Sequence, residues 1–268
     1  MIDLHCHLLP GIDDGPADVA LSLAMARAAV ADGITITACT PHIYPGLYEN
    51  AAEGIQRAIA TMRTELERAG IPLQLVAGAD THLAPDMVDG LKRGRIPTLG
   101  GSRYFLFEPP HHVAPARMDE MIFSLMTSGY LPVVTHPERL SWIEENYEIF
   151  PRMVKAGAWM QITAGSLTGR FGRRPKYWAE RMLDEGLVHI LATDAHNMAR
   201  RGPWLAEGRD AAATRVGEAE ALRLVQTRPR GILDNADPAA LGAPSTITVA
   251  MPASRPRSRI QQWFGREA

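Results

Sequence analysis

Short apolar runs alternate along this chain with longer stretches whose apolar residues recur at helical spacing. Within 17–32, Leu23, Ala26 and Val30 fall on one stripe, with Pro16 suited to the helix start and Gly33 to its stop. Ile55, Ile59, Met62 and Leu66 predict a second helix, with Asn50 and Glu53 as a capping box and Gly70 and Pro72 beyond its end. Apolar strands are predicted at 1–7, 34–39, 73–77, 103–107, 130–134, 159–163 and 188–192. Met118, Met121, Phe123 and Met126 have the spacing of a helix packed on the sheet, 219–226 reads as a last helix, and 235–238 as a turn.

Alternating helices and short strands, about seven of the latter, argue for parallel β/α units and a barrel-like sheet. In such folds the active site gathers at the carboxyl ends of the strands. Nearly every strand here carries a metal-ligating residue type at that end: His5 and His7, then His42, Asp80, Glu108, His136, and finally Asp194 with His196. In the first strand His5 and His7 share one face, about 7 Å apart along the strand, and Leu4 and Cys6 share the other. An isolated H-x-H is more often a pair of ordinary histidines; recurrence of donors at one end of successive strands is not explained by solubility. His189 sits at the opposite end of its strand and reads as structural.

Composition narrows the function classes. The chain has 268 residues, 46% of them hydrophobic, enough for one large core. A net charge of −2 gives no electrostatic footprint for nucleic acid. Cys6 and Cys39 are too few for a disulfide framework, which fits a reducing compartment. No secretory leader precedes the first strand and no apolar run reaches the roughly 18 residues of a membrane span, so a soluble cytoplasmic protein is expected. One domain is expected over 1–242, followed at 243–268 by a flexible basic tail rich in proline and arginine, with Trp263 and Phe264, through which any direct membrane contact would run.

Histidine and carboxylate donors without cysteine suit Mn²⁺, Fe²⁺ or Zn²⁺. They outnumber what one ion uses, which implies a multinuclear centre, and a water shared between two cations becomes a nucleophile near neutral pH. Arg139 follows His136 closely, and Arg200 and Arg201 follow His196; the planar guanidinium fork pairs with phosphoryl oxygens. Two other phosphate chemistries are absent. Neither Cys6 nor Cys39 is followed six residues on by arginine, and no phosphate loop of the G-x-x-x-x-G-K-S/T type occurs. Nor is there a nucleophile elbow at Ser166, because Thr168 stands where glycine is needed.

Several blocks in order, 1–15, Thr40-Pro-His42, Thr135-His-Pro-Glu-Arg139, 161–172 and Thr193-Asp-Ala-His-Asn197, resemble the bacterial PHP-type protein tyrosine phosphatases of capsular and exopolysaccharide operons, the CpsB/CapC/YwqE group. The resemblance covers roughly residues 1 to 240. It implies a PHP-type distorted (β/α)7 barrel with the metal site at the C-terminal ends of the strands, a trinuclear centre commonly served by manganese, with iron, cobalt or zinc as alternatives, and dephosphorylation of a tyrosine autokinase of polysaccharide export. By position it implies His5, His7, Asp14, His42, Asp80, Glu108, His136, Asp194 and His196 as ligands, and Arg139 and Arg201 as phosphate holders. Asp14 is preferred to Asp13 on that alignment alone. One position departs from the family pattern: Asp80 stands where glutamate is usual, and its shorter arm withdraws the oxygen by one methylene.

Two other readings stay open on the residues. One is a different PHP phosphoesterase, such as a histidinol-phosphate phosphatase, since loops fix the substrate. The other is a kinase-binding module without catalysis, which would have no use for an activated water. Phenolate, with a pKa of about 10, leaves without much acid assistance; His111, His112 and Glu138 are the nearby groups able to supply a proton, although each reads first as a loop residue. Asn197 is expected to support the ligands by a hydrogen bond or to cap its loop.

Overall fold

The computed structural model describes residues 1–244. The strands are β1 (Ile2–Cys6), β2 (Ile36–Cys39), β3 (His42–Ile43), β4 (Gln74–Ala77), β5 (Asp80–His82), β6 (Tyr104–Glu108), β7 (Leu131–Thr135), β8 (Trp159–Thr163) and β9 (Ile190–Ala192). They form two all-parallel sheets, ordered β1-β2-β4 and β3-β5-β6-β7-β8-β9.

Two of the seven expected strands, β2 and β4, are each followed after a short break by a further strand, β3 or β5, that belongs to the other sheet. Pro41, which has no N–H to donate, interrupts the first break and accepts from Asp80 N at 3.1 Å instead. At the second, a Cβ on Gly78 would lie 3.0 Å from both Thr40 and Leu99, so the chain passes close against its neighbours there. On the other side of the molecule Asp194 N donates to His5 O at 2.8 Å and His7 N to Ala195 O at 2.9 Å, which joins β1 to the segment after β9. The result is a distorted seven-rung parallel α/β barrel.

β1 corrects the expectation of strict alternation. Its register against β2 shifts between Asp3 and Cys6, so one extra residue is accommodated as a bulge. Leu4 packs with Ala38, Leu106 and Val133 in one buried cluster, whereas Cys6 packs with Cys39 and Phe105 in the other, under the helices. Leu4 and Cys6 thus do not share a face. The bulge keeps Leu4 in the inner cluster and still delivers His5 and His7 to the site.

The helix predicted at 17–32 begins at Val19, where Asp18 Oδ1 accepts from Leu21 N at 2.9 Å. Its buried stripe is Ser22, Met25, Ala26 and Ala29, with Leu23 and Val30 only at the margin, because alanine and serine allow the closest approach. The helix Ala52–Arg68 buries Ile55, Ile59, Met62 and Leu66 as expected. Its capping box does not form: Asn50 Nδ2 instead donates to Ile12 O and His42 O, both at 2.9 Å, tying two site loops together. In the helix Met118–Thr127 the buried residues are Met118, Ile122 and Leu125, while Phe123 is 67% exposed, one position off the packed stripe.

The last helical stretch runs on from Glu218 through Thr227 to Leu233, longer than predicted, and Pro238–Leu241 forms a single 3₁₀ turn. Arg228 is fully buried there, pairs with Glu220 at 2.7 Å and donates to Ala243 O at 3.1 Å. The expected tail lies outside the described residues beyond Ala243 and Pro244. No helix among the described residues is long and apolar enough to cross a membrane.

Candidate metal centre

Three of the site's histidines, His5, His7 and His196, are fixed through one ring nitrogen and offer the other. His5 Nδ1 lies 2.8 Å from Gln161 Oε1 and His7 Nδ1 2.7 Å from Asp13 Oδ2, so both Nε2 atoms face inward, 3.3 Å apart. His196 Nδ1 donates to Asp194 O at 3.0 Å, leaving Nε2 3.1 Å from Asp14 Oδ1. His42 lies with Nδ1 3.5 Å from Asp80 Oδ2 and 3.4 Å from Glu108 Oε2, and with Nε2 3.5 Å from Asp14 Oδ1. His136, in the left-handed region at φ 34°, brings Nε2 to 3.7 Å from both Asp80 and Glu108. Asp194, at φ 50°, sets Oδ1 3.3 Å from His5 Nε2. Positive φ in non-glycine residues costs energy and is found where a side chain must be aimed.

These separations have a common meaning. Two donors each about 2.1 Å from one ion stand about 3 to 3.5 Å apart. The donors group as His7, Asp14, His42 and His196; His5, His7 and Asp80; His42, Asp80 and Glu108; and Glu108, His111 and His136, with the ligand atoms of each group within 4.8 Å of one another. Both oxygens of the fully buried Asp80, Glu108 Oε2 and His42 Nδ1 have no hydrogen-bond partner. Buried carboxylate oxygens left unpaired are costly, and a divalent cation resolves the deficit. The residues present fit a multinuclear metal site.

The electrostatics agree. Burial pushes His7 well down, with His196 and His42 adding to it, and burial takes His136 down to about 4, so both are neutral and ready to ligate. Burial also disfavours charge on His5 and His42, yet Asp80 with Asp194, and Glu108 with Asp80, raise them to about 9 and about 10. Glu108 is held well below its usual range despite burial by His111, His42 and His82. The carboxylates thus draw positive charge into the site from any available source.

Arg139 and Arg201 converge on Asp194: Arg139 Nη1 pairs with Oδ2, and Arg201 Nη2 donates to both oxygens at 2.9 and 2.8 Å. Arg139 also lies over the Phe171 ring at 4.6 Å. Arg200, by contrast, is exposed. Asn197 caps the loop that carries Arg201, its Oδ1 accepting from Ala199, Arg200 and Arg201 N at 2.9, 3.1 and 3.2 Å. Asp14, His42, Glu108 and His136, together with both arginines, line one cavity of about 480 Å³, and the other donors lie buried beside them.

All nine donors and both arginines named from the sequence are thus brought together. Asp13 stands behind His7 and Asp14 faces inward, so the two adjacent carboxylates have separate tasks. Glu138 is not available as a proton source: it is buried, and its Oε1 accepts from Thr163 N at 2.9 Å and Ser166 Oγ at 2.7 Å. His111 comes closer than its reading as a loop residue implied, with Nε2 3.6 Å from Glu108 Oε1 and its ring stacked on His136 at 5.0 Å. His112 lines the mouth. Sequence reasoning missed Gln161, Asp13 as an orienting group, and His82, which stands 3.5 Å from Glu108. The polar Gln161 within an otherwise apolar strand was the available signal. His189 is structural as expected, stacked on Trp159 at 4.8 Å and accepting from Met160 N at 3.1 Å.

Comparison with known proteins places this geometry. The family described as capsular polysaccharide synthesis, CpsB/CapC, matches residues 1–234. The tyrosine-protein phosphatase YwqE of Bacillus subtilis is 37% identical over 201 residues, 75% of this chain and 79% of its own. The tyrosine-protein phosphatase CpsB of Streptococcus pneumoniae is 28% identical over 238 residues, 87% and 98% of the two chains. A solved structure from work on YwqE and CpsB, described as metal-dependent tyrosine phosphatases, superposes with a TM-score of 0.85 at 34% identity, covering 88% of this chain and 96% of that one. The Escherichia coli phosphotriesterase homology protein shares the fold alone, at a TM-score of 0.53 and 12% identity over 87% of this chain and 98% of that one.

Proposed function

Because the chain belongs to the CpsB/CapC family of capsular polysaccharide synthesis, we propose that it is a metal-dependent protein-tyrosine phosphatase acting on a tyrosine-phosphorylated autokinase of polysaccharide export, on the cytoplasmic side of the membrane. The observation that carries this reading is the meeting of nine nitrogen and oxygen donors with two guanidinium groups, four of the donors and both arginines lining one open cavity. His5, His7, Asp14, His42, Asp80, Glu108, His136, Asp194 and His196 would hold the ions, whose number, three, and preference for manganese follow the family resemblance, and the oxygen and imidazole donors suit that metal. Residues 1–242 constitute the catalytic domain.

When bound, the ions supply a water activated at neutral pH and positive charge for the phosphoryl oxygens. The protein's own part is to position. Gln161 and Asp13 fix the rings of His5 and His7, and Asn197 fixes the backbone before Arg201. Arg139 and Arg201, paired with Asp194 in the resting site, turn their remaining donors to the phosphoryl oxygens, where the planar fork binds best. Phenolate departs from the open side of the cavity.

The test is phosphate release from a phosphotyrosine peptide and from histidinol phosphate, each with Mn²⁺ and with chelator. Metal-dependent turnover of the peptide at much the higher kcat/KM is expected. Preference for histidinol phosphate would keep the metal chemistry and overturn the substrate; metal binding without turnover of either would point to a different phosphoester or to a binding module.

A further inference from the structure

The cavity has a charged floor and apolar walls. Eight large apolar side chains are exposed among the described residues, and five of them, Tyr44, Leu47, Val113, Leu21 and Met198, border two cavities that share Asp14 as a wall. Exposed apolar area concentrated around one site marks a place where something apolar docks. In the larger cavity, which also holds both arginines, these residues are Tyr44, Leu47 and Val113.

The walls are built before any substrate arrives. Tyr44 and Tyr48 exchange backbone hydrogen bonds at 2.9 and 2.8 Å, closing a tight hairpin in which Gly46 takes φ 84° and its N–H donates to Glu49 Oε1 at 2.6 Å. The hairpin rests on the donor layer: the Tyr44 ring lies flat on His82 at 3.8 Å, and the Tyr48 ring lies parallel to His42 at 5.6 Å. Leu47 at its tip is 63% exposed. Across the mouth the loop carrying Val113, which is 69% exposed, is pinned where Trp142 Nε1 donates to Pro110 O at 2.8 Å and Ser141 N to His111 O at 3.0 Å. Walls held this way spend little ordering entropy on a ligand.

We propose that the Tyr44–Tyr48 hairpin and Val113 form a clamp for the aromatic ring of the substrate, so that selection of aryl over alkyl phosphoesters resides in these walls while the floor recognises only the phosphoryl group. The proposal rests on the reading above, in which the phosphoryl group lies against Arg139 and Arg201. A phosphoserine or phosphothreonine chain reaching the same floor leaves the walls in water, and a phosphotyrosine ring covers them. The chemistry recognised is an aromatic ring one ester oxygen away from the phosphorus.

The experiment separates ring recognition from leaving-group chemistry by using phosphonates, which are not hydrolysed. Calorimetric binding of benzylphosphonate, whose CH2 stands in the place of the ester oxygen and keeps the phenyl ring at the same reach, and of methylphosphonate to the Mn²⁺-loaded full chain is compared for wild type, Leu47→Ser/Val113→Ser and Tyr44→Ala. Leu47 and Val113 are exposed, so the double variant does not test folding. Wild type is expected to prefer the phenyl compound by at least about tenfold, and the double variant to lose most of that preference, with methylphosphonate affinity moving less than about threefold. No phenyl preference in wild type, or a preference that survives in the variants, overturns the clamp. Phosphotyrosine-peptide turnover, measured in parallel, judges the proposed function separately: its absence in wild type sinks that reading, while its presence with an unaltered phenyl preference in the variants sinks only the clamp.

Discussion

Arg201 grips Asp194 through both carboxylate oxygens, at 2.9 and 2.8 Å, while Asp194 Oδ1 lies only 3.3 Å from His5 Nε2. One buried carboxylate thus belongs to the donor cluster and to the arginine pair at once. Burial opposes its charge, but Arg201 and Arg139 hold it ionised well below the usual carboxylate range.

Asp194→Asn keeps the shape and removes the charge that serves both sets. Turnover of a phosphotyrosine peptide should fall at least about a hundredfold, the scale seen when a preorganised charge or a ligand's support is lost. Metal content, measured by mass spectrometry of the purified variant, should fall with it. Wild-type turnover at full metal occupancy would remove Asp194 from the site.

Gln161→Leu tests orientation alone. Gln161 Oε1 holds His5 Nδ1 at 2.8 Å in a fully buried position, and leucine fills similar space without an acceptor. Metal affinity should drop about 10- to 100-fold, as for other lost supports of a ligating histidine. Titrating Mn²⁺ against turnover reads this directly, since excess metal should restore most of the rate.

Asn197→Ala acts on the arginine rather than on the metal. Three backbone N–H groups lose their shared acceptor, and the loop that sets Arg201 loosens. About a tenfold rise in KM with unchanged metal content is expected, since fixing a phosphate-binding group is a positioning effect. A parallel loss of metal would show that Asn197 supports the ligands instead.

His189 governs part of the acid limb of stability. Burial, aided by the Arg228 charge, lowers it from 6.5 to about 3 in the folded chain. Its folded value lies below its unfolded one, so between them the unfolded chain binds more protons. Full stability is present above pH 6.5 and is lost as pH falls toward 3, at about 1.4 kcal/mol per unit. His189→Phe preserves the stack on Trp159 but leaves Met160 N without its acceptor, so it should be less stable at pH 8. Its loss between pH 8 and pH 5 should be smaller than wild type's by about 2 kcal/mol in urea unfolding of chelator-treated protein. Equal losses in both proteins would refute the assignment.

Eight of the nine donors were legible because each ends a strand or follows one closely, and a parallel barrel sends all such positions to one mouth; Asp14, in the loop after β1, came only from the family resemblance. Arg139 and Arg201 were legible only by nearness to His136 and His196; that both meet on Asp194 required the fold. The bulge in β1 was not legible, since Leu4 and Cys6 are both apolar and alternation alone assigns them one face. Glu138 is the loop residue it first reads as, but its chain position, two residues after His136, does not reveal that its carboxylate turns to Thr163 N and Ser166 Oγ. Asn50 carried the signal of a helix cap, and a stronger use for its amide, bridging Ile12 O and His42 O, took it elsewhere. Phe123 fell off the buried stripe by one position, a difference that hydrophobicity does not resolve when Met121, Ile122, Phe123, Leu125 and Met126 are all apolar.

The central claim, metal-dependent hydrolysis of phosphotyrosine, is tested most directly by titrating Mn²⁺ into chelator-treated protein while following phosphate release from a phosphotyrosine peptide and the number of ions bound per chain. Release should be absent without metal and should rise only as more than one ion binds, because the donor groups form a multinuclear cluster. Undiminished release from metal-free protein would contradict the account, as would full occupancy with no release.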